Sequence, residues 1–227
     1  MSIPFHEDQI PPINPGECHV ACTVVVDTSV GMSGAPIEAL NRGLAEFGNA
    51  LAQNFPIQGR ADVTIISFNS SVKTELGFRP ATEYEAPTLA AGGLSAMNEA
   101  INTALDALEA RKTQYRETGI LYHRPLLFLL SGSTPTDSHL ESSTRARLQK
   151  AIKENKVFYL PIGIGENADS AKLQSYYPED VAYRVVLNSD TCDFNEVFSF
   201  SPMPISFIEP KTEISIPQLP DWFRIEL

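Results

Sequence analysis

The sequence predicts a doubly wound α/β fold, a three-layer sandwich whose mostly parallel central sheet has about six strands and one antiparallel edge strand. Short apolar runs recur along the chain, as is typical of parallel strands that are covered on both faces. Between them lie segments in which apolar residues recur every three or four positions, the period of a helix with one buried face. Strands that alternate with such helices form a parallel sheet with helices on both sides.

The first half of the chain shows this alternation. An apolar strand ends at residues 24–26, and Pro36 suits the first turn of the helix that follows, where no internal N–H bond is lost. The apolar stripe of this helix consists of Ile37, Leu40, Leu44, Phe47 and Leu51. A second strand at residues 63–68 is followed by a turn and a short strand at residues 72–76. We therefore expect a hairpin at one edge of the sheet.

The second half continues the pattern. The stripe of a second helix consists of Met97, Ile101, Ala104, Leu105 and Leu108. Residues 125–130 are continuously apolar, as expected for a central strand, and residues 157–164 form another buried strand. A polar-faced helix is predicted at residues 141–154. Residues 183–187 predict a last short strand, and residues 194–198 predict the start of a last helix.

The chain divides into three predicted segments. Residues 1–18 are polar and proline-rich and predict an irregular lead-in. Residues 19–200 carry the alternating strands and helices and predict one domain. Residues 201–227 are again proline-rich and predict a C-terminal strap. The strap either lies on its own domain or docks on a partner, since Trp222 and Phe223 are residue types that often anchor interfaces.

The bulk composition narrows the classes of function. A net charge of −11 argues against nucleic acid or an anionic membrane as the main partner. The apolar runs are too short to cross a bilayer, and the first residues lack the pattern of a secretory signal. Three cysteines are too few for a disulfide framework. We therefore expect a cytoplasmic protein.

Four ordered motifs give the chain a family resemblance. They are DTSVGMSGAPIEALNRGL at residues 27–44, AAGGLSAMNEAI at 90–101, FLLSGSTPTD at 128–137 and YLPIGIGENAD at 159–169. Over residues 19–200 the chain resembles von Willebrand factor A-like (vWA) domains, and the first motif is particularly similar to the bacterial cytosolic branch associated with tellurite resistance (TerY-like). The resemblance implies a six-stranded sheet between helices and a protein-binding role rather than catalysis.

The residues themselves already point to a cation at the first loop. Asp27 and Ser29 directly follow an apolar strand, where open α/β sheets place their ligand sites, and their oxygens suit Mg²⁺ or Ca²⁺. The resemblance implies a metal-ion-dependent adhesion site whose first loop reads Asp-x-Ser-x-Ser. Asp27 and Ser29 match this pattern, but its third position is Gly31.

The other two loops of that site depart from the family pattern as well. The second loop normally supplies a threonine, and the alignment gives Ser95, while an alternative register gives Leu94. The third loop normally reads Thr-Asp-Gly, but here it reads Ser131-Gly132-Ser133 and lacks the carboxylate. We therefore expect a degenerate site with no resident cofactor, at which Mg²⁺ or another divalent cation binds at low affinity if it binds. Its candidate ligands are Asp27, Ser29 and Ser95, unless Ser133 or Asp137 compensates.

The leading functional hypothesis is a non-enzymatic adaptor that binds a protein partner in a bacterial stress or defence system. Its binding surface is the loop face, which we define as Asp27, Ser29, Gly31, Ser33, Gly93, Ser95, Ser131, Gly132, Ser133 and Asp137. The alternative is a structural subunit attached to a larger assembly through the strap. The oligomeric state stays open.

Two further patterns suggest other chemistry. The sequence GMSGA at residues 31–35 resembles the nucleophile turn of serine hydrolases, with Ser33 as the nucleophile, but its fifth residue is Ala35 and no histidine is placed as a base. Cys18 and Cys22 could hint at zinc, although one pair without a second is a weak signal, and a strand would point both to one face as ordinary packing.

Overall fold

The computed structural model describes residues 18–53, 59–165, 168–180, 184–188 and 223–226. In these ranges the strands are β1 (Val20–Asp27), β2 (Ala61–Phe68), β3 (Val72–Pro80), β4 (Leu126–Ser131), β5 (Phe158–Gly163), β6 (Arg184–Asn188) and β7 (Phe223–Glu226). They form one sheet in the order β3-β2-β1-β4-β5-β6-β7.

The centre of the sheet is parallel and its edges are antiparallel. Strand β1 pairs in parallel with β2 and β4, and the parallel pairing continues from β4 to β5 and from β5 to β6. Strand β3 pairs antiparallel with β2, which confirms the predicted edge hairpin. Strand β7 pairs antiparallel with β6 and adds a strand to the predicted six. The doubly wound α/β class is therefore confirmed.

Strand β7 belongs to the segment that the sequence predicts to be a strap. Its residues Val185 and Ile225 are paired across the β6–β7 ladder. At four residues it is shorter than an average strand, and it follows a proline-rich stretch, so no strand signal stood out in the sequence. The rest of the strap, the lead-in at residues 1–17 and the helix predicted at 194–198 lie outside the described residues.

The helices are α1 (Ala35–Gln53), α2 (Met97–Glu117), α3 (Glu141–Lys153) and α4 (Ser170–Gln174). The first three confirm the predicted helices, whereas α4 was not predicted. Its first turn is capped by Asp169, whose carboxylate accepts a hydrogen bond of 2.8 Å from the Lys172 backbone N–H. Short 3₁₀ turns occupy Val30–Met32, Ala81–Glu83 and Ser138–Leu140. Among the described residues, no helix combines the length and the apolarity that a bilayer crossing requires.

The sheet separates two apolar cores. On one face, side chains such as Val24 and Val26 of β1 pack in a cluster with Leu40 and Leu44 of α1. On the other face, Val25 lies in a second cluster, and its other members from β4, α2 and α3 include Leu127, Leu129, Ile101 and Leu148. All six residues of β4 are buried, as expected for a central parallel strand that helices cover on both faces. This arrangement is the predicted three-layer sandwich.

A buried ionic cluster ties α2 to β2. Asp62 of β2 is 1% exposed, and Arg111 Nη2 of α2 lies 2.9 Å from its Oδ2. The Tyr115 hydroxyl donates a hydrogen bond to the same oxygen, and His19 Nδ1 lies 3.6 Å from it. The Arg111 guanidinium also packs over the rings of Phe78 and Tyr115. The cluster therefore neutralises a charge inside the second core.

The same neighbours decide the protonation of Asp62. Burial acts to raise the pKa of Asp62, but His19, Arg111 and Tyr115 together outweigh it and hold the pKa below its usual value. A carboxyl group with a lowered pKa stabilises the folded protein above its unfolded pKa of about 3.9. This contribution is lost as the pH falls through the folded-state pKa.

We expect Asp62→Asn to lower the free energy of unfolding by about 3 kcal/mol at pH 7, because Arg111 stays buried without its counter-ion. The difference from wild type should persist down to about pH 4 and shrink below it, as wild-type Asp62 becomes protonated. Urea titrations at pH 7, 5, 4 and 3 measure this. The control is Asp106→Asn, whose side chain is 71% exposed and pairs with Arg147. A difference that is as large at pH 3 as at pH 7 would contradict the assignment.

Candidate functional site

The loops that follow β1 and precede α2 are joined by backbone hydrogen bonds. The Val30 N–H donates to the Gly93 carbonyl at 3.0 Å, and the Gly92 N–H donates to the Thr28 carbonyl at 2.8 Å. The Thr28 hydroxyl donates to the Phe68 carbonyl at the end of β2. The carboxyl ends of the parallel strands β1 and β2 therefore hold the first two loops together, at the edge where doubly wound sheets place ligand sites.

The third loop follows β4 and is joined to the second through Thr136. Its N–H donates to the Ser95 carbonyl at 2.8 Å, and its hydroxyl lies 3.0 Å from the same carbonyl. The Ser95 N–H in turn donates to the Thr136 hydroxyl at 3.1 Å. All three predicted loops thus meet at one edge of the sheet.

The carboxylate of Asp27 joins the first loop to the third. Asp27 is fully buried at the last position of β1. Its Oδ1 accepts a hydrogen bond from the Ser29 N–H at 2.8 Å. Its Oδ2 accepts from the Ser131 hydroxyl at 3.1 Å, from the Gly132 N–H at 3.1 Å and from the Ser133 hydroxyl at 2.6 Å. Four donors therefore compensate the burial of this negative charge.

The direction of one more hydrogen bond follows from this arrangement. The hydroxyl oxygens of Ser29 and Ser133 lie 2.9 Å apart. Because a carboxylate only accepts, Ser133 donates its single hydroxyl proton to Asp27, and Ser29 must donate to Ser133. Both serine protons therefore point inward along a chain that ends on the carboxylate. We call the group of Asp27, Ser29, Ser131, Gly132 and Ser133 the Asp27 cluster.

Neighbouring atoms fill the space at the two glycines that depart from the family pattern. A Cβ atom at Gly132 would lie 2.6 Å from Met32 Sδ and 3.0 Å from the Ile164 carbonyl oxygen. Met32 itself is fully buried. A Cβ atom at Gly31 would lie 3.2 Å from Ser133 Cβ, which is tight. A carboxylate side chain at position 132 is therefore excluded as long as Met32 keeps its place.

Ser95 and Asp137, the remaining polar candidates, have different surroundings. Ser95 is 2% exposed, and its hydroxyl has no hydrogen-bond partner among the described residues. The Asp137 carboxylate accepts from the Asn98 side-chain amide at 2.8 Å and from the Glu99 N–H at 2.9 Å. Both carboxylate oxygens of Asp137 thus accept hydrogen bonds from residues in the first turn of α2.

The donor set of the Asp27 cluster is poorer in negative charge than the two-carboxylate pattern that the family resemblance implies. The Asp27 cluster contains one carboxylate, and both of its oxygens already accept hydrogen bonds. A cation bound there would displace the protons of Ser29 and Ser133 from their present direction. In the part of the chain that the structure describes, no group of three or more His, Cys, Asp or Glu residues could hold a metal ion. The unpartnered Ser95 hydroxyl alone does not supply the missing charge.

The contacts around Ser33 and around the Cys18/Cys22 pair do not favour a serine hydrolase or a zinc site. Within the described ranges, no histidine donates to or accepts from the Ser33 hydroxyl, and His19 lies at the other end of β1. Burial raises the pKa of the Cys22 thiol well above its usual range, so Cys22 is a packed thiol in the core beside α1. Cys18 is half-buried and free, and Cys192 lies outside the described residues.

Sequence reasoning missed Met32, Thr136 and Asn98. Met32 and Thr136 lie inside the motifs at residues 27–44 and 128–137, but a methionine or a threonine there does not by itself predict a contact between the loops. Thr136 is recognisable as a link only when residues 95 and 136 are seen together. Asn98 donates to the Asp137 carboxylate across 39 positions of sequence. These contacts are long-range and carry no local signal.

Solved structures from several organisms share this fold. The PilB minor pilin of Streptococcus sanguinis is 13% identical, with a TM-score of 0.59 over 86% of this chain and 63% of the pilin chain. The ArnB paralog VWA2 of Sulfolobus acidocaldarius is 16% identical, with a TM-score of 0.53 over 86% of this chain and 46% of its own. The chain therefore spans less than two thirds of these two proteins.

A third structure, the manganese-loaded TRAP protein of Plasmodium vivax, is 16% identical, with a TM-score of 0.53 over 80% of this chain and 71% of that chain. At such identities the likeness concerns the fold alone. No curated protein matches the sequence significantly. The family model of the von Willebrand factor type A domain matches residues 23–199. This match covers most of the sequence, and the chain belongs to the von Willebrand factor type A domain family.

Proposed function

We propose that this protein is a non-enzymatic interaction module whose loop face binds a protein partner without a resident metal ion. The observation that carries the proposal is an exposed apolar pair beside the Asp27 cluster. Val30 is 67% exposed and Leu94 is 61% exposed, and Leu121 is the remaining large apolar side chain that is exposed among the described residues. Two of these three therefore lie on the loops that surround the cluster.

The loop geometry holds the apolar pair in place. The hydrogen bond from the Val30 N–H to the Gly93 carbonyl brings the first loop against the residue that precedes Leu94. The Leu94 N–H donates to the Ser70 hydroxyl at 2.9 Å, which fixes the second loop on its other side. Covering a Val or Leu side chain stabilises a complex by about 1.5–3 kcal/mol. A partner that covers both thus gains affinity from a pre-organised surface.

We infer that the Asp27 cluster is a degenerate metal site. Its supports are the four donors on Asp27, the buried Met32 beside Gly132, and the short Ser133–Asp27 hydrogen bond that takes the place of a cation contact. Any remaining affinity for Mg²⁺ is low, because one carboxylate remains of the two that the family pattern supplies. The cluster then serves to hold the loops in shape for the partner.

The setting of the proposal comes from the sequence. Similarity of residues 27–44 to the TerY-like branch favours an adaptor in a bacterial stress or defence system. Free thiols at Cys18 and Cys22 favour a cytoplasmic location. The net charge of −11 disfavours nucleic acid and anionic membrane as partners. The pairing of β7 with β6 uses the end of the strap inside its own sheet, so no observation favours attachment through it.

Val30 and Leu94 lie next in sequence to residues of the loop face, so substitutions of this apolar pair test the loop face directly. We expect Val30→Asp and Leu94→Asp each to weaken partner binding about tenfold or more, because each places a charge where a partner covers an apolar side chain. A photo-crosslinking amino acid at position 30 or 94 should form a specific adduct in the native host, which mass spectrometry identifies. The matched control is position 121, since Leu121 is 63% exposed at the opposite end of the sheet.

Equal cross-linking at positions 30 and 121, or unchanged binding by both aspartate variants, would contradict the proposal. Asp27→Ala is a poor substitute for these variants. It leaves the donors of Ser131, Gly132 and Ser133 without their acceptor inside the protein, so it acts on stability as well as on binding.

The metal status has a separate test. We expect the Tm of the wild type in about 10 mM Mg²⁺ to equal its Tm in buffer without Mg²⁺. The triple variant Met32→Ala/Gly132→Asp/Ser133→Gly restores a carboxylate and the space for it, and should gain Mg²⁺-dependent stability. At a tenfold excess over Kd the gain is about 1.4 kcal/mol. Thermal unfolding with and without Mg²⁺ measures both.

Gly132→Asp alone is the control for this test. It should lower the Tm and give no response to Mg²⁺, because Met32 Sδ lies 2.6 Å from the position of the new Cβ. A wild-type protein that gains as much stability from Mg²⁺ as the triple variant does would refute the degenerate site.

A further inference from the structure

Helices α2 and α3 enclose a groove between them. Its volume is about 170 Å³. The floor is apolar and consists of Leu105, Leu108, Ala151 and Val157. Four cationic side chains also line it: Lys112, Arg147, Lys150 and Lys156. We propose that this α2–α3 groove binds an acidic segment of a partner protein, with one apolar side chain on the floor and its carboxylates against the lysines.

Charge complementarity supports an acidic occupant. The whole chain carries 28 acidic and 17 basic residues. The groove reverses this balance: Arg147 is paired with Asp106 outside the lining, and the three lysines that remain are accompanied by two acids, Glu109 and Glu154. A local positive excess on a protein of net charge −11 attracts a negatively charged segment to this place and repels it from most other parts of the surface.

Lys112 gives the groove an incompletely paired cation. Its side chain is 9% exposed, and its Nζ lies 2.5 Å from Glu109 Oε2. An ammonium group has three N–H donors, and among the described residues Glu109 is the partner of one of them. The Glu109 side chain is 56% exposed, so it shields the ammonium poorly. A carboxylate from an occupant would complete the pairing of a buried charge, which is costly to leave unpaired.

Lys150 and Lys156 add a further positive excess to the lining of the groove. Lys156 Nζ lies 2.6 Å from Glu154 Oε2, and Lys150 Nζ lies 3.9 Å from Glu154 Oε1. Two ammonium groups thus share one carboxylate, and the Lys150 side chain is 74% exposed. Arg147 differs from the lysines, because its Nη2 lies 2.5 Å from Asp106 Oδ1. Asp106 is not part of the groove lining, so it neutralises Arg147 from outside the groove. Lys112, Lys150 and Lys156 are therefore the residues assigned to the occupant.

The size of the groove favours a peptide side chain over a free small molecule. Pockets that bind drug-sized ligands usually measure about 300–1,000 Å³, and this groove is well below that range. A long polyanion such as nucleic acid would extend beyond the groove onto a chain with an acidic excess of eleven charges. A short acidic segment with one apolar residue meets both the lysines and the floor. The site is built from α2, α3 and the turn that follows α3, and it shares no residue with the loop face, so it stands independently of the proposed function.

The test uses the full chain and a fluorescein-labelled synthetic peptide made of aspartate and glutamate around one central leucine. Fluorescence anisotropy is expected to show saturable binding that weakens as NaCl is raised. The variant Lys150→Glu/Lys156→Glu should bind at least about tenfold more weakly, because two attractive pairs become repulsive. Ala151→Leu, which fills part of the floor without changing charge, should also weaken binding.

The matched control is Lys73→Glu/Lys153→Glu, which changes the net charge by the same amount. Lys73 lies on β3, and Lys153 pairs with Asp180 at 2.8 Å outside the groove. This control should stay within about twofold of wild type. Circular dichroism verifies that every variant is folded.

Four results would overturn the proposal. They are an equal loss in the control, equal binding of a peptide with asparagine and glutamine in place of the acids, equally tight binding of a single-stranded oligonucleotide, and no binding up to about 1 mM peptide. None of them bears on the photo-crosslinking at positions 30 and 94, so failure here and failure of the loop-face proposal are distinguishable.

Discussion

The hydrogen bonds to the buried carboxylate of Asp27 hold together the loops at the carboxyl ends of the parallel strands. Asp27 ends β1 and holds the third loop through Ser131, Gly132 and Ser133, which are more than a hundred positions away in sequence. A buried charge needs several donors, and here backbone and hydroxyl groups of two loops supply them. One buried negative charge therefore joins the loop that carries Val30 to the third loop.

Much of this architecture was predictable because it rests on local patterns. The continuous apolar run of β4 and the stripes of α1 and α2 predict the strands and helices, and Asp27 at a strand end predicts where the loops meet. Contacts between distant residues were not predictable in this way. Asp137 looked like a spare ligand, but Asn98 and the first turn of α2 take both of its oxygens. Strand β7 is not predictable from the sequence, because four residues after a proline-rich stretch show too little periodicity to indicate a strand.

Helix α2 connects the parts of the molecule that have proposed roles. Its first turn is held by Asp137 beside the loops, its middle lines the α2–α3 groove with Leu105 and Leu108, and its last turns carry Arg111 toward Asp62. The groove thus lies between the two contacts that fix this helix, one to the loops and one to β2. The two proposed surfaces differ in chemistry, since one carries an exposed apolar pair and the other is lined by lysines.

The packing of Met32 beside Gly132 also bears on how such a domain changes over evolutionary time. Once the thioether fills the space that a carboxylate would need, an aspartate at position 132 alone is a harmful substitution, because its Cβ would lie 2.6 Å from the sulfur. Placing an acid at position 132 therefore calls for a coordinated change at Met32, and we expect either change alone to lower stability. The packing of the core around Met32 therefore makes an acid at position 132 depend on a second substitution.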